Sequence, residues 1–118
     1  MKLTDVNTRF PRLRLNKPLE KQALIKYIAT GSTFTSGDIM GMIYAIREAL
    51  LNYLKEGTPV RLEGIGIFSP SIKLDGTIKI RFRADKELLR ELNSSHNLHE
   101  RITNRKNLGK SLSDLEED

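Results

Sequence analysis

Residues 55–68 read Lys-Glu-Gly-Thr-Pro-Val-Arg-Leu-Glu-Gly-Ile-Gly-Ile-Phe, and the period of the chain changes inside them. Before this stretch apolar residues recur at helical spacing, and within it they begin to alternate. Glu56-Gly57 with Pro59 beyond it ends a helix, because glycine suits the left-handed C-cap and proline cannot continue the ladder. Val60 and Leu62 then alternate with Arg61 and Glu63, which predicts a strand with one apolar and one polar side. Gly64-Ile65-Gly66 supplies a tight turn or bulge before the next strand.

Working back from Gly57, Ile39, Ile43, Ile46, Leu50 and Tyr53 fall at steps of four and three. Met42, Ala45, Ala49 and Leu54 widen that stripe, so the helix has to be covered on most sides. Thr35-Ser36-Gly37-Asp38 opens it in capping-box form. Leu19, Ala23, Leu24, Tyr27 and Ile28 predict a shorter amphipathic helix upstream, with Pro18 in its first turn and Gly31 as its stop. Working forward, Ile72 and Leu74 lead to Asp75-Gly76, a strong hairpin signal. Ile78, Ile80 and Phe82 return with Lys79, Arg81 and Arg83 on the opposite face. A last helix is expected from about Asp85 to Leu92, with Leu88, Leu89 and Leu92 turned inward. The fold class is α+β, ordered helix, helix, three antiparallel strands, helix.

The two ends read differently. Arg9, Arg12 and Arg14 stand between Phe10, Leu13 and Leu15, and Pro11 interrupts the run, which predicts an extended basic arm or edge strand. From Asn93 the chain is polar, and Ile102, Leu108, Leu112 and Leu115 are too sparse to nucleate a core, so disorder is expected there. The acidic end carries Asp114, Glu116, Glu117 and Asp118. The expected organisation is a basic extension over 1–17, a folded domain over 18–92 and a polar tail over 93–118.

A chain of 118 residues suits one domain, and 38% hydrophobic against 30% charged residues is a lean composition for it. Completion of the core by a second copy is therefore expected. The absence of cysteine excludes disulfides, thiolate metal sites and a cysteine nucleophile. Apolar runs are far shorter than the ~20 residues of a membrane span, and the N-terminus lacks the apolar core of a signal peptide, so a soluble, cytoplasmic protein is expected. His96 and His99 with Glu100 have helical spacing for two metal ligands, but nothing supplies the remainder of a site. Gly64-Ile65-Gly66 is no dinucleotide fingerprint, there is no phosphate-binding loop, and no serine has a histidine partner in the expected domain. The expectation is a protein without catalysis, cofactor, metal or small-molecule substrate.

The net charge is +5 and unevenly spread. Residues 1–18 carry +4, residues 19–56 are neutral, residues 57–92 carry +2 and residues 93–118 carry −1. Basic flanks around a neutral middle suggest an anionic partner such as nucleic acid.

The capping box, the long apolar helix and the run Lys55-Glu56-Gly57-x-x-Val60-x-Leu62-x-Gly64-Ile65-Gly66-Ile67-Phe68 resemble the HU/IHF family of bacterial histone-like DNA-binding proteins. That family usually has phenylalanine where this chain has Ile65. Phe82-Arg83-Ala84-x-Lys86-x-Leu88 is similar to the block that follows the family's DNA-binding arm. The resemblance covers about residues 19–92. The N-terminal extension and the Lys-Glu-Leu helix make the chain similar to HU-like proteins of the Bacteroides group.

The resemblance implies an intertwined homodimer, with Ile39, Met42, Ile43, Ile46, Leu50, Tyr53, Leu54, Phe68 and Phe82 in its interface. It also implies sequence-tolerant binding of double-stranded DNA in the nucleoid, with Arg83 and Lys86 at the arm base and Gly64, Ile65 and Gly66 in a turn that approaches phosphates. Strand alternation adds Arg61, Lys73, Lys79 and Arg81, and the basic extension adds Arg9, Arg12 and Arg14. One departure bears on function. The family's long arm with a proline at its tip is reduced here to the stretch between Phe68 and Phe82, with Asp75-Gly76 at the tip. DNA contact without sharp bending is therefore expected, since the intercalating wedge is missing. The alternative is an HU-fold structural or protein-interaction module that has lost DNA binding with its arm.

Overall fold

The computed structural model describes residues 9–111. In chain order the elements are β1 (Arg12–Leu13), α1 (Lys21–Thr30), α2 (Ser36–Lys55), β2 (Val60–Leu62), β3 (Gly66–Ile72), β4 (Ile78–Ala84), α3 (Lys86–Asn93), α4 (His96–His99) and β5 (Ile102–Thr103), followed by a 3-10 turn over Arg105–Asn107. They form two compact units: Pro18–Arg90, and the N-terminal residues to Lys17 together with the chain from Glu91.

In the unit Pro18–Arg90, α1 packs on α2, and α2 also reaches β2 and β3. The capping box of α2 is formed at both ends: the Asp38 N–H donates to Thr35 Oγ1 at 3.0 Å, and the Thr35 N–H donates to the Asp38 carboxylate at 3.1 Å. Two orphan donors of the first turn are thereby satisfied, worth about 1 kcal/mol. The helix leaves through Gly57, whose N–H returns to the Leu54 carbonyl while that of Thr58 returns to Tyr53. Ile25 of α1 and Ile39 of α2 are the only buried hydrophobic side chains among the described residues. Ile39, expected at an interface between copies, is thus already enclosed within one protomer.

The sheet runs β2-β3-β4, antiparallel throughout. Val60 pairs with Phe68 and Leu62 with Gly66, so β2 ends opposite Phe68 and β3 is an edge beyond it. Pro70 falls in that edge portion, where a missing N–H is tolerated. The hairpin closes on a three-residue loop, Leu74-Asp75-Gly76, flanked by the Lys73 N–H bond to the Thr77 carbonyl at 2.9 Å. Inside it the Gly76 N–H bonds the Lys73 carbonyl, and the Asp75 carboxylate accepts from the Thr77 N–H at 2.9 Å. α3 begins where expected, with the Asp85 carboxylate accepting from the N–H groups of Glu87 and Leu88.

The second unit differs from the sequence expectation. Residues 93–111, read as part of a polar tail without order, carry α4, β5 and the 3-10 turn, and β5 pairs antiparallel with β1 of the N-terminal extension. The Arg14 N–H donates to the Arg101 carbonyl and Arg101 Nε to the Arg14 carbonyl at 2.7 Å. Asn104 and Asn107 donate their side-chain amides to the carbonyls of Phe10 and Arg9. Asn107 is buried, and its Oδ1 has no partner among the described residues. The physical reason composition failed here is that polar amides close this unit against partners almost the whole chain away. Leu112, Leu115 and the acidic residues 114–118 lie outside the described residues.

Candidate nucleic-acid interface

The register of β2, β3 and β4 sorts the sheet into two faces. One carries Val60, Leu62, Gly66, Phe68, Pro70, Ile72, Ile78, Ile80, Phe82 and Ala84. The other carries Arg61 opposite Ile67, then Ile67 opposite Arg83, Ser69 opposite Arg81 and Ser71 opposite Lys79. The Asp75-Gly76 loop fixes this register, and a slip of one residue would exchange the faces.

On the polar face a groove of about 450 Å³ is lined by Ile67, Ser69, Pro70, Ser71, Arg81, Phe82 and Arg83. Its only ionisable groups are the two guanidiniums. Ser69 and Ser71 are the residues that sequence reading missed. Their signal was available in the hairpin register, which sets each hydroxyl across from a cation and adds a donor for a phosphate oxygen.

A second cleft, of about 770 Å³, lies at the base of the hairpin, where Arg61, Gly64, Gly66, Arg83 and Lys86 come together. Glu63, Asp85 and Glu87 also line it, so its charges are mixed and a phosphate is drawn to it less than to the groove. Gly64 has φ +80 at the third position of a turn closed by the Ile65 N–H to the Leu62 carbonyl. Ile65 itself is exposed, and its carbonyl accepts from the Asp85 N–H. Lys73 flanks the hairpin loop. Arg9, Arg12 and Arg14 belong to the other unit.

The apolar face and helix α2 leave large side chains open. Phe68 and Phe82 stack with ring centroids 4.8 Å apart, yet Phe82 remains 50% exposed and Ile80 63%. On α2, Met42 is 60% and Tyr53 54% exposed, Ile43 and Ile46 are partly exposed, and Leu50 and Leu54 are half-buried. Among the described residues no group of three or more histidine or acidic side chains could hold a metal ion, and no helix is long and apolar enough to cross a membrane. His99 Nδ1 lies 2.7 Å from the Ser95 carbonyl.

Two helices under a short-armed three-stranded sheet, one face apolar and the other basic, define a histone-like α+β scaffold. Residues 3–100 match the family described as HU domain fused to wHTH, Ig, or Glycine-rich motif, and the chain belongs to that family. A solved mutant HU from Thermotoga maritima is similar in fold, with 21% identity and a TM-score of 0.53, covering 64% of this chain and 100% of its own. No curated protein sequence matches the chain.

Proposed function

We propose that this chain is a homodimeric, sequence-tolerant DNA-binding protein of the nucleoid that holds duplex DNA by phosphate contacts and does not bend it sharply. The carrying observation is the two-sided sheet. Its cation face pairs Arg81 and Lys79 with serine hydroxyls, while the opposite face leaves Ile80 and Phe82 for a second copy. Arginine, lysine and hydroxyl donors contact phosphate without reading bases, and no asparagine or glutamine stands in the hairpin to add base readout. The folded domain of this reading is residues 18–92, and the role is architectural rather than catalytic.

The absence of sharp bending rests on the hairpin tip. Its loop presents Leu74, Asp75 and Gly76, and the Thr77 N–H keeps the Asp75 carboxyl in its charged form, an anion that phosphates repel. Leu74 is fully exposed and is the apolar residue of the loop itself, with the exposed Ile72 and Ile78 pair behind it. A gel-shift titration of duplex DNA at two salt concentrations tests the reading. Affinity should fall steeply with salt, with a log–log slope of roughly −0.9 per phosphate contacted. Salt-insensitive binding or strong discrimination between unrelated duplexes contradicts the mechanism, and no binding at all favours an interaction module. End-to-end energy transfer on a labelled duplex tests the bend, and a large bend abolished by Leu74→Ser would refute the tip argument.

A further inference from the structure

We propose that the unit formed by the two ends of the chain, residues 9–17 with residues 91–111, is a second surface for the phosphate backbone of duplex DNA. The inference rests on the DNA-binding reading above and adds a site to it. Over those residues Arg9, Arg12, Arg14, Lys17, Arg101, Arg105, Lys106 and Lys110 stand against Glu91 and Glu100, an excess of six positive charges that Asp114, Glu116, Glu117 and Asp118 at the acidic end reduce to two. The excess is assembled by folding, since the cations come from both ends of the sequence and β1 pairing with β5 joins them.

The unit also holds its strand rigidly. Carbonyls of Arg9, Phe10, Arg12 and Arg14 accept from Asn107, Asn104, Thr103 and Arg101 respectively. Arg101 Nη2 reaches Asn16 Oδ1 at 3.0 Å, and Arg105 donates to the His99 carbonyl. These bonds fix the main chain, so cations along it are presented with little further ordering cost. Arg12 and Arg14 are two apart in an extended segment, about 6.8 Å, a separation of the order of that between neighbouring phosphates on one strand. Lys17 and Lys106 are exposed and make no side-chain hydrogen bond or ion pair among the described residues.

Two observations favour a nucleic acid over a membrane. Five of the eight cations are arginines, whose planar forks suit phosphate oxygens. They lie on β1, in turns and in the 3-10 turn over Arg105–Asn107, and the described residues of this unit hold no basic amphipathic helix to lie in a bilayer surface. The HU structure is matched over its whole length by 64% of this chain, so about a third of the chain is additional to that fold.

The test uses the full chain and its Lys17→Ala, Lys106→Ala and double variants, with Arg81→Ala as the sheet control and circular dichroism to verify folding. Binding to a fluorescent duplex is measured across salt concentrations, and each lysine variant should flatten the log–log slope by about 0.9 for every protomer in contact with the duplex. For the double variant the corresponding loss per protomer in contact is about 60-fold in affinity at 0.1 M salt. If Arg81→Ala flattens the slope and the lysine variants do not, the second surface is overturned and the DNA-binding reading stands. An effect of Lys17 without Lys106 overturns the joint surface. Duplex affinity unchanged in the double variant while binding to anionic phosphatidylserine vesicles is lost would assign the cations to a membrane instead. No duplex binding by the unaltered chain overturns both readings.

Discussion

Gly66→Ala tests the packing at the base of the hairpin more severely than any charge substitution. Gly66 lies between Leu62 and Ala84 in the sheet with φ +155, a conformation that side-chain-bearing residues rarely adopt. An added Cβ would collide with the Arg83 carbonyl and stand 2.6 Å from a Phe82 ring carbon, where ordinary contact begins at 3.4 Å. The shortfall against the ring is therefore 0.8 Å (3.4 − 2.6). The Arg83 carbonyl is not free to yield, because it belongs to a paired strand, and Phe68 lies against the Phe82 ring at 4.8 Å in a tilted arrangement that limits its shift. Overpacking of this kind and a strained backbone each cost about 1–3 kcal/mol, so a loss of about 2–6 kcal/mol is expected. Gly64→Ala is the matched control: at φ +80 it meets nothing within 4 Å, leaving only the conformational cost of about 1–2 kcal/mol. Urea unfolding of both variants at one protein concentration decides between them. A Gly66→Ala variant that loses no more stability than Gly64→Ala would refute the close-approach argument.

Removing Lys79, Arg81 and Arg83 together by alanine should flatten the salt dependence of duplex binding by about 2.7 in slope for every protomer in contact, roughly 500-fold in affinity at 0.1 M salt per protomer, and titration across salt concentrations measures it. Dimerisation should make the unfolding midpoint rise with protein concentration, and Phe82→Asp should abolish that dependence together with folding; ultracentrifugation and thermal melts read both. The Asp75 carboxyl is held below the usual carboxylate range, chiefly by the backbone bond from Thr77 and then by the Thr77 hydroxyl. A depressed folded-state value stabilises the loop fully above the ordinary carboxyl pKa of about 4, and that stabilisation is lost as pH falls through the depressed value. Amide exchange at Thr77 should therefore accelerate in acid relative to Ser69, and Asp75→Asn should remove the difference.

The helices and the hairpin were legible because their signals are local. The Thr35 and Asp38 pair, Gly57, and Asp75-Gly76 each act within a few residues, and each ends or opens an element where the sequence places it. The two faces followed from alternation once the loop fixed the register. The terminal unit was illegible for the opposite reason. Its β1–β5 pairing and its amide bonds join residues some ninety positions apart, and Asn104 and Asn107 in isolation read as ordinary loop residues. Ile39, placed at the interface with the rest of its stripe, is enclosed within one chain, because periodicity shows that a residue faces inward but not whether its own chain or a second one covers it.

That ambiguity bears on why the protomer needs a second copy. Met42, Ile43, Ile46, Tyr53 and Phe82 each retain a third or more of their surface. Burying the remainder stabilises by about 1 kcal/mol per side chain, or about 10 kcal/mol for two copies, before the cost of association. Native domains are stable by only about 5–15 kcal/mol in all. A protomer whose enclosed hydrophobic side chains, among the described residues, are Ile25 and Ile39 lacks that margin, so in the proposed homodimer folding and association would be one event. In that assembly each copy would bring its own basic sheet face, so the number of phosphates engaged, and with it the salt slope, would be set by the assembly rather than by one hairpin. A shortened arm is compatible with such a grip because affinity then depends on the count of cations held in place, whereas sharp bending depends on an apolar wedge at a single tip.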